Sequence, residues 1–196
     1  KIPLLVGGTG LYVNILLDGI FRGAPGNEKL RQGLFAEAEE FGSLALHQKL
    51  READPLAAEK IHPNDVKRIV RALEVIEVTG KPISKMQAQR KGLRDKYDIQ
   101  IFCLDMPREC LYRRINERVE KMFRLGAVRE VKKLLTGKLS RTVKYAIGIR
   151  QIKEYIHGRL SLDQAKESIK RATRQYAKRQ LTWFRKDKTI QWLKLG

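Results

Sequence analysis

The chain has 196 residues, 42% of them hydrophobic, enough for one good-sized domain or a core carrying a small insert. Its 41 Lys+Arg against 22 Asp+Glu give a net charge of +19, which calls for a polyanionic partner: nucleic acid first, an anionic membrane surface second. No apolar run reaches the ~20 residues of a membrane helix. The N-terminus has no signal-like segment. Two cysteines make no disulfide framework or zinc site and fit a reducing cytoplasm, and three scattered histidines make no metal site.

The apolar run "IPLLVGG" predicts a short buried strand of a parallel sheet. "LYVNILLDGI" follows with helical character, and "FRGAPGN" breaks it. From Asn27 the pattern is helical for about sixty residues. Leu30, Leu34, Ala38 and Phe41 share one helical face. Ser43 reads as a new N-cap, and Asp54 before Pro55 as another. Asn64 or Asp65 caps the clearest helix, whose stripe is Val66, Ile69, Val70, Leu73 and Ile76 and whose stop is Gly80 with Pro82.

"YDIQIFCLDM" predicts a second strand, stopped at Pro107. A long helix is expected over 108–135, with Leu111, Ile115, Val119, Met122, Val131 and Leu135 inward. "LTGKLSRTVKYAIGIRQ" reads as a loop. Ser161 and Gln164 form a capping box for the last helix. Its stripe is Leu162, Ala165, Ile169, Ala172, Tyr176 and Trp183, interrupted by Gln180. "TIQWLKL" closes the chain as a strand. Strands separated by helices indicate an α/β parallel-sheet core with helices on both faces, helix-rich overall. Three strands are few for such a sheet, so further strands are expected outside this sequence.

Four stretches bear on chemistry. "GGTGLYVN" lacks the Lys and Ser/Thr of a Walker A loop, and no other stretch supplies one. Its glycines Gly7, Gly8 and Gly10 allow a sharp turn and a close approach to a ligand. Thr9 would stand at the carboxyl end of a strand, where open α/β sheets bind ligands, or would merely cap the next helix. Residues 161–188 hold nine Lys/Arg against three Asp/Glu, with Arg171, Arg174, Lys178 and Arg185 beside the stripe. A solvated face normally mixes signs, so this one points to a polyanion. Lys67, Arg68 and Arg71 lie in the first turns of a helix, against its macrodipole, a mild penalty that an anion would relieve. Arg114 and Arg118, at i and i+4, could fork onto a diphosphate or pair with Glu117 and Glu120.

The blocks "PLLVGGTGLY", "HPNDVKRIVRALEVIEVTGKPIS", "LYRRINERVEKM", "AIGIRQ" and "ATRQYAKRQLTWFR", in that order, resemble the tRNA dimethylallyltransferases along essentially the whole chain. The family's N-terminal third, with its P-loop and general-base Asp, has no counterpart in these residues. The resemblance implies transfer of a dimethylallyl group from dimethylallyl diphosphate to N6 of the adenosine 3′ of the anticodon, in tRNAs reading codons that begin with U. It implies a P-loop-type core over 1–24 and 91–196 and a helical insertion over 25–90 that grips the anticodon stem-loop. It also implies a monomer needing Mg²⁺, with no metal ligands in this chain, which alone would be inactive.

Carried over by position, Thr9 and Arg118 resemble the catalytic pair. Gly7, Gly8, Gly10, Arg68 and Arg114 would line the diphosphate and the channel. Arg31, Lys67, Arg68, Arg71, Gly148, Arg150, Arg171, Arg174, Lys178, Arg179, Gln180 and Arg185 would meet tRNA. Ile149 departs from the family's usual aromatic, which removes a stacking or hydroxyl contact there. The competing readings are a non-catalytic basic RNA-binding module and a prenyltransferase acting on free adenine nucleotide.

Overall fold

The computed structural model describes residues 2–21 and 25–195. Residues 22–24 of the expected break at "FRGAPGN", and with them the expected boundary at residue 24, lie outside the described residues. The chain divides into two compact units, residues 11–99 and residues 1–10 with 100–196.

The unit of residues 11–99 is helical. α1 (Gly10–Asp18) enters it, and its Leu16 and Leu17 carbonyls accept from the Leu93 and Arg94 N–H groups. These bonds tie both ends of the segment together, so α1 goes with the helices rather than with the sheet. α2 (Glu28–Ala53) opens at Asn27, whose side chain caps the Leu30 N–H. It breaks at Gly42, with φ 84° and ψ 160°, so a fresh helical turn begins at Ser43. Phe41 therefore leaves the apolar face expected of it and is 64% exposed.

Asp54, almost fully buried, caps α3 (Pro55–Lys60) through the Ala57 N–H at 3.1 Å. Its other oxygen accepts from the Ser84 N–H at the start of α5 (Ile83–Ala88), at 2.8 Å. Between them, α4 (Val66–Thr79) starts at Asp65 and ends at Gly80 in the left-handed region, φ 67°. Leu46, Leu50, Ile69, Val70, Leu73 and Val75 form the core, with Leu34, Ala57, Ala58 and Ile83 around it. Each large aliphatic side chain buried this way stabilises the unit by roughly 1.5–3 kcal/mol before entropy is counted.

The second unit holds the sheet. β1 (Phe102–Asp105) pairs in parallel with β2 (Gln191–Lys194), Phe102 opposite Gln191 and Asp105 opposite Lys194. Both strands are shorter than the apolar runs around them. The expected N-terminal strand is not formed: residues 2–9 have no strand pairing among the described residues. Ile2, Leu4, Leu5 and Val6 are 71–98% exposed. A strand is held by its ladder, and this run has no ladder here.

The expected long helix is two. α6 (Arg108–Arg124) stops at Leu125, and Gly126 at φ 98° turns the chain into α7 (Ala127–Leu135). The stretch read as a loop contains α8 (Arg141–Lys144) and leads through Gly148 into α9 (Ile149–Ile156). α10 (Leu162–Phe184) carries the expected Ser161–Gln164 capping box. Val119, Ala127, Val131, Ile152 and Ile169 form this unit's core. Ile149 packs against that core, which is what an apolar side chain gains there in place of an aromatic. Only the N-terminal part of the α10 stripe is core: Ala165 and Ile169 are buried, whereas Leu162, Tyr176 and Trp183 are 36–37% exposed. Met122 is likewise half exposed. The architecture is helix-rich with a small parallel sheet, as expected.

Candidate functional site

In the helical unit, α4 brings two predicted RNA-binding arginines to one carboxylate. Glu74 is fully buried and accepts from Arg31 Nε at 2.8 Å, Arg71 Nη1 at 2.5 Å and the Asn27 N–H at 2.8 Å. Burial alone would push its pKa up. The Arg71 hydrogen bond, the Asn27 N–H and the Arg31 hydrogen bond outweigh that and hold it below the usual carboxylate range. Both guanidiniums stay about one-third exposed, at 35% and 38%. Arg31 Nη1 also lies 3.8 Å from the exposed Glu28, so the two guanidiniums are held at a fixed place, each with an open side. Lys67 and Arg68 are exposed at the start of α4, where Arg68 Nε reaches Asp65 at 3.2 Å. Glu74 was missed by sequence reading. Its signal was a single carboxylate set between the stripe residue Leu73 and Val75, both of which turn out buried.

In the sheet unit the glycine loop meets α10. Gln180 Nε2 donates to the Gly8 carbonyl at 2.7 Å. The Trp183 indole lies so close to Gly10 that a Cβ there would overlap its ring. Gly8 is also tight, since a Cβ would strike the Gln180 amide, whereas Gly7 faces open space. Thr9, between the two contacts, is exposed.

Arg114 and Arg118 project from α6 into solvent. Arg113, Arg114 and Glu117 line an open cleft of about 750 Å³ with Cys110 and Met106. Arg118 has no ion-pair partner among the described residues. The local pairing considered for these arginines is not what Glu120 does. Glu120 reaches across to α10, 2.9 Å from Lys166 Nζ and 2.8 Å from Lys170 Nζ. The Lys170 and Lys166 hydrogen bonds pull its pKa down to about 2.

Along α10, Arg171, Lys178 and Arg179 are exposed. Arg174 turns inward to Asn116 Oδ1 at 2.9 Å and lies over Tyr112, whose ring Arg108 also approaches at 5.0 Å. Arg179 stacks on Tyr176, and Arg185 sits 5.8 Å from the Trp192 ring and 4.0 Å from Asp105. Arg150 is exposed in the first turn of α9, behind the buried Gly148 at φ 104°. Aromatic rings beside guanidiniums orient them without neutralising them, so this face stays positive.

Among the described residues no three His, Cys, Asp or Glu side chains gather as a cation site. No helix among them is long and apolar enough to cross a membrane.

A family model described as IPP transferase matches residues 1–187. The chain belongs to the IPP transferase family. It is 47% identical over 195 residues to a tRNA dimethylallyltransferase of Geobacter sulfurreducens, covering 98% of this chain and 63% of that protein. It is 48% identical over 207 aligned residues to one from Carboxydothermus hydrogenoformans, covering 100% and 64%. Among solved structures, the full-length tRNA isopentenylpyrophosphate transferase of Bacillus halodurans matches with TM-score 0.57 at 39% identity, over 95% of this chain and 57% of that one. A eukaryotic dimethylallyltransferase described as acting on tRNA matches with TM-score 0.71 at 29% identity, over 99% and 51%. The chain therefore spans under two thirds of the length of these relatives.

Proposed function

We propose that this chain is the greater part of a tRNA dimethylallyltransferase, transferring a dimethylallyl group from dimethylallyl diphosphate to N6 of the adenosine 3′ of the anticodon. The observation that carries the reading is the match, over 98–100% of this chain, to proteins of that name at 44–48% identity. The basic faces support it. Arg31, Lys67, Arg68 and Arg71 in residues 25–90 meet the anticodon stem-loop. Gly148, Arg150, Arg171, Arg174, Lys178, Arg179 and Arg185 in the core meet the same RNA, whereas the Gln180 amide is taken up by the Gly8 carbonyl. The phosphates supply most of the affinity, and the binding is salt-sensitive.

In this proposal the adenosine is drawn out of the loop stack so that its amine faces the prenyl carbon. The N6–C bond forms as the C–O bond to diphosphate breaks, and the N6 proton leaves to a base. Thr9 donates to the departing oxygen, and Arg118, with Arg114, meets the charge that develops on the diphosphate. The turn through Gly7, Gly8 and Gly10 brings the backbone up to that channel. The resemblance assigns the P-loop, the Mg²⁺ it holds and the general-base Asp to family segments not represented in these residues. The reaction is accordingly proposed for the protein that carries them together, acting as a cytoplasmic monomer; residues 1–196 alone are expected to be inactive.

Mass spectrometry of tRNA nucleosides tests the activity: deleting the gene should abolish the five-carbon modification of adenosine, and an unchanged nucleoside profile would refute it. Arg118→Ala should lower kcat at least tenfold with tRNA Kd changed less than twofold. Equal losses in both would favour a non-catalytic RNA-binding module.

A further inference from the structure

Thr9 is exposed, and among the described residues its side chain makes no hydrogen bond. The residues on either side are fixed, both by α10. Gln180 Nε2 donates to the Gly8 carbonyl at 2.7 Å, and the Trp183 indole closes over Gly10 where no Cβ fits. Gln180 and Trp183 are three apart, so they stand on the same helical face one turn from each other. The same helix bears the exposed Arg171, Lys178 and Arg179.

We propose that Gln180 and Trp183 are positioning residues for Thr9: α10 holds the glycine loop at two points and thereby sets where the Thr9 hydroxyl stands. This rests on the prenyl-transfer reading for its kinetic consequences, but not for the tether itself. A hydroxyl serves a developing charge only if it is placed before the charge appears, and a misplacement of ~1 Å costs up to ~100-fold in rate. The glutamine that interrupts the apolar stripe is polar because its partner is a backbone carbonyl. Gly10 is a glycine because an indole occupies the space of a Cβ.

Gln180→Met keeps the length and neutrality of the side chain and removes the donor. In the intact, active protein it should lower kcat about five- to tenfold, the worth of one hydrogen bond, with tRNA Kd within about twofold. In a Thr9→Ala background the same substitution should change kcat less than about twofold, because residues acting through one group are not additive. Gly10→Ala should lower kcat similarly and be partly restored by Trp183→Leu, which makes room for the methyl group. Independent losses in the double variant, or a loss in tRNA affinity in place of turnover, would overturn the proposal. A second readout needs no activity. The Gly10 α-protons lie against the indole and should be ring-current shifted in the NMR spectrum of glycine-labelled protein. Gln180→Met should move them toward ordinary values. An unmoved Gly10 signal would overturn the tether, whereas an absent prenyl-transfer activity with the predicted shift would overturn only the proposed reaction.

Discussion

Replacing Glu74 by Gln keeps the side chain's shape and removes its charge. In the parent, the buried carboxylate accepts three hydrogen bonds, from Arg31, Arg71 and the Asn27 N–H. An amide has one acceptor oxygen, so its NH₂ group must face a guanidinium, donor against donor. One charge-assisted bond is lost outright, worth ~1.5–3 kcal/mol, and another weakens. Two effects oppose this. The desolvation cost of the carboxylate disappears, and the guanidiniums, 35% and 38% exposed, regain water. The net expectation is a loss of about 2 kcal/mol, which moves a urea midpoint down by about 1 M. Circular dichroism of urea-unfolded intact protein measures it. An unchanged or raised midpoint would show that desolvation of Glu74 outweighs its pairing. The pH dependence gives a second check. Glu74 titrates below its unfolded value in the native protein, so its contribution is complete above pH ~4.3 and fades as pH falls through the lower folded pKa. Glu74→Gln should remove that acid-side loss, leaving a flatter profile below pH ~4.3.

Three further outcomes are expected. Gly80→Ala forces a Cβ into the left-handed C-cap at φ 67° and should cost about 1 kcal/mol in a thermal or urea melt. Ile169→Ala, at a position 1% exposed, should cost ~2–5 kcal/mol through the cavity it leaves. Phe, Leu or Met in its place would separate cavity from shape. The Glu120 carboxyl should titrate by NMR at about 2. Its bridge to Lys166 and Lys170 is therefore fully present above pH ~4.3 and lost toward pH 2, an acid sensitivity that Glu120→Gln abolishes. Because this carboxylate is 40% exposed, solvent screening keeps the effect on stability small.

What was legible in the sequence was local. Asp54 and Ser161 were readable as caps, and Asp65 as one of two candidates with Asn64, because capping depends on two or three neighbouring residues. The α4 stripe was readable because Ile69, Val70 and Leu73 recur at helical spacing. The break of the long helix at Gly126 left only one glycine as a sign, and the periodicity on either side of it concealed the turn. In the Arg31–Glu74–Arg71 cluster the Arg71–Glu74 pair has ordinary i,i+3 helical spacing, but Arg31 joins it from more than forty positions away and could not be paired from spacing. Ile149 was marked as a departure from the family aromatic, but its packing against the α6–α10 core required coordinates. The basic residues of α10 were visible as a group. That Arg174 turns to Asn116 while Arg171 and Lys178 face solvent was not.

The glycine loop shows where sequence and structure divide the information. "IPLLVGG" has the composition of a buried strand, and in a parallel sheet a loop after a strand is located by that strand's ladder. Residues 2–9 have no ladder among the described residues, and their apolar side chains are exposed. The loop is nevertheless held, at Gly8 and Gly10, by a helix about 170 positions further along. Two close contacts one helical turn apart fix a short segment in both position and orientation, which a single contact cannot do. It follows that the register of α10 is what Thr9 senses. The last turn of that helix closes with the Arg185 N–H on the Leu181 carbonyl, so a change that frays it moves Gln180, Trp183 and the loop together. In the proposed reaction, RNA bound along Arg171, Lys178 and Arg179 stiffens that turn, and the helix proposed to meet the RNA also holds the Thr9 hydroxyl in place.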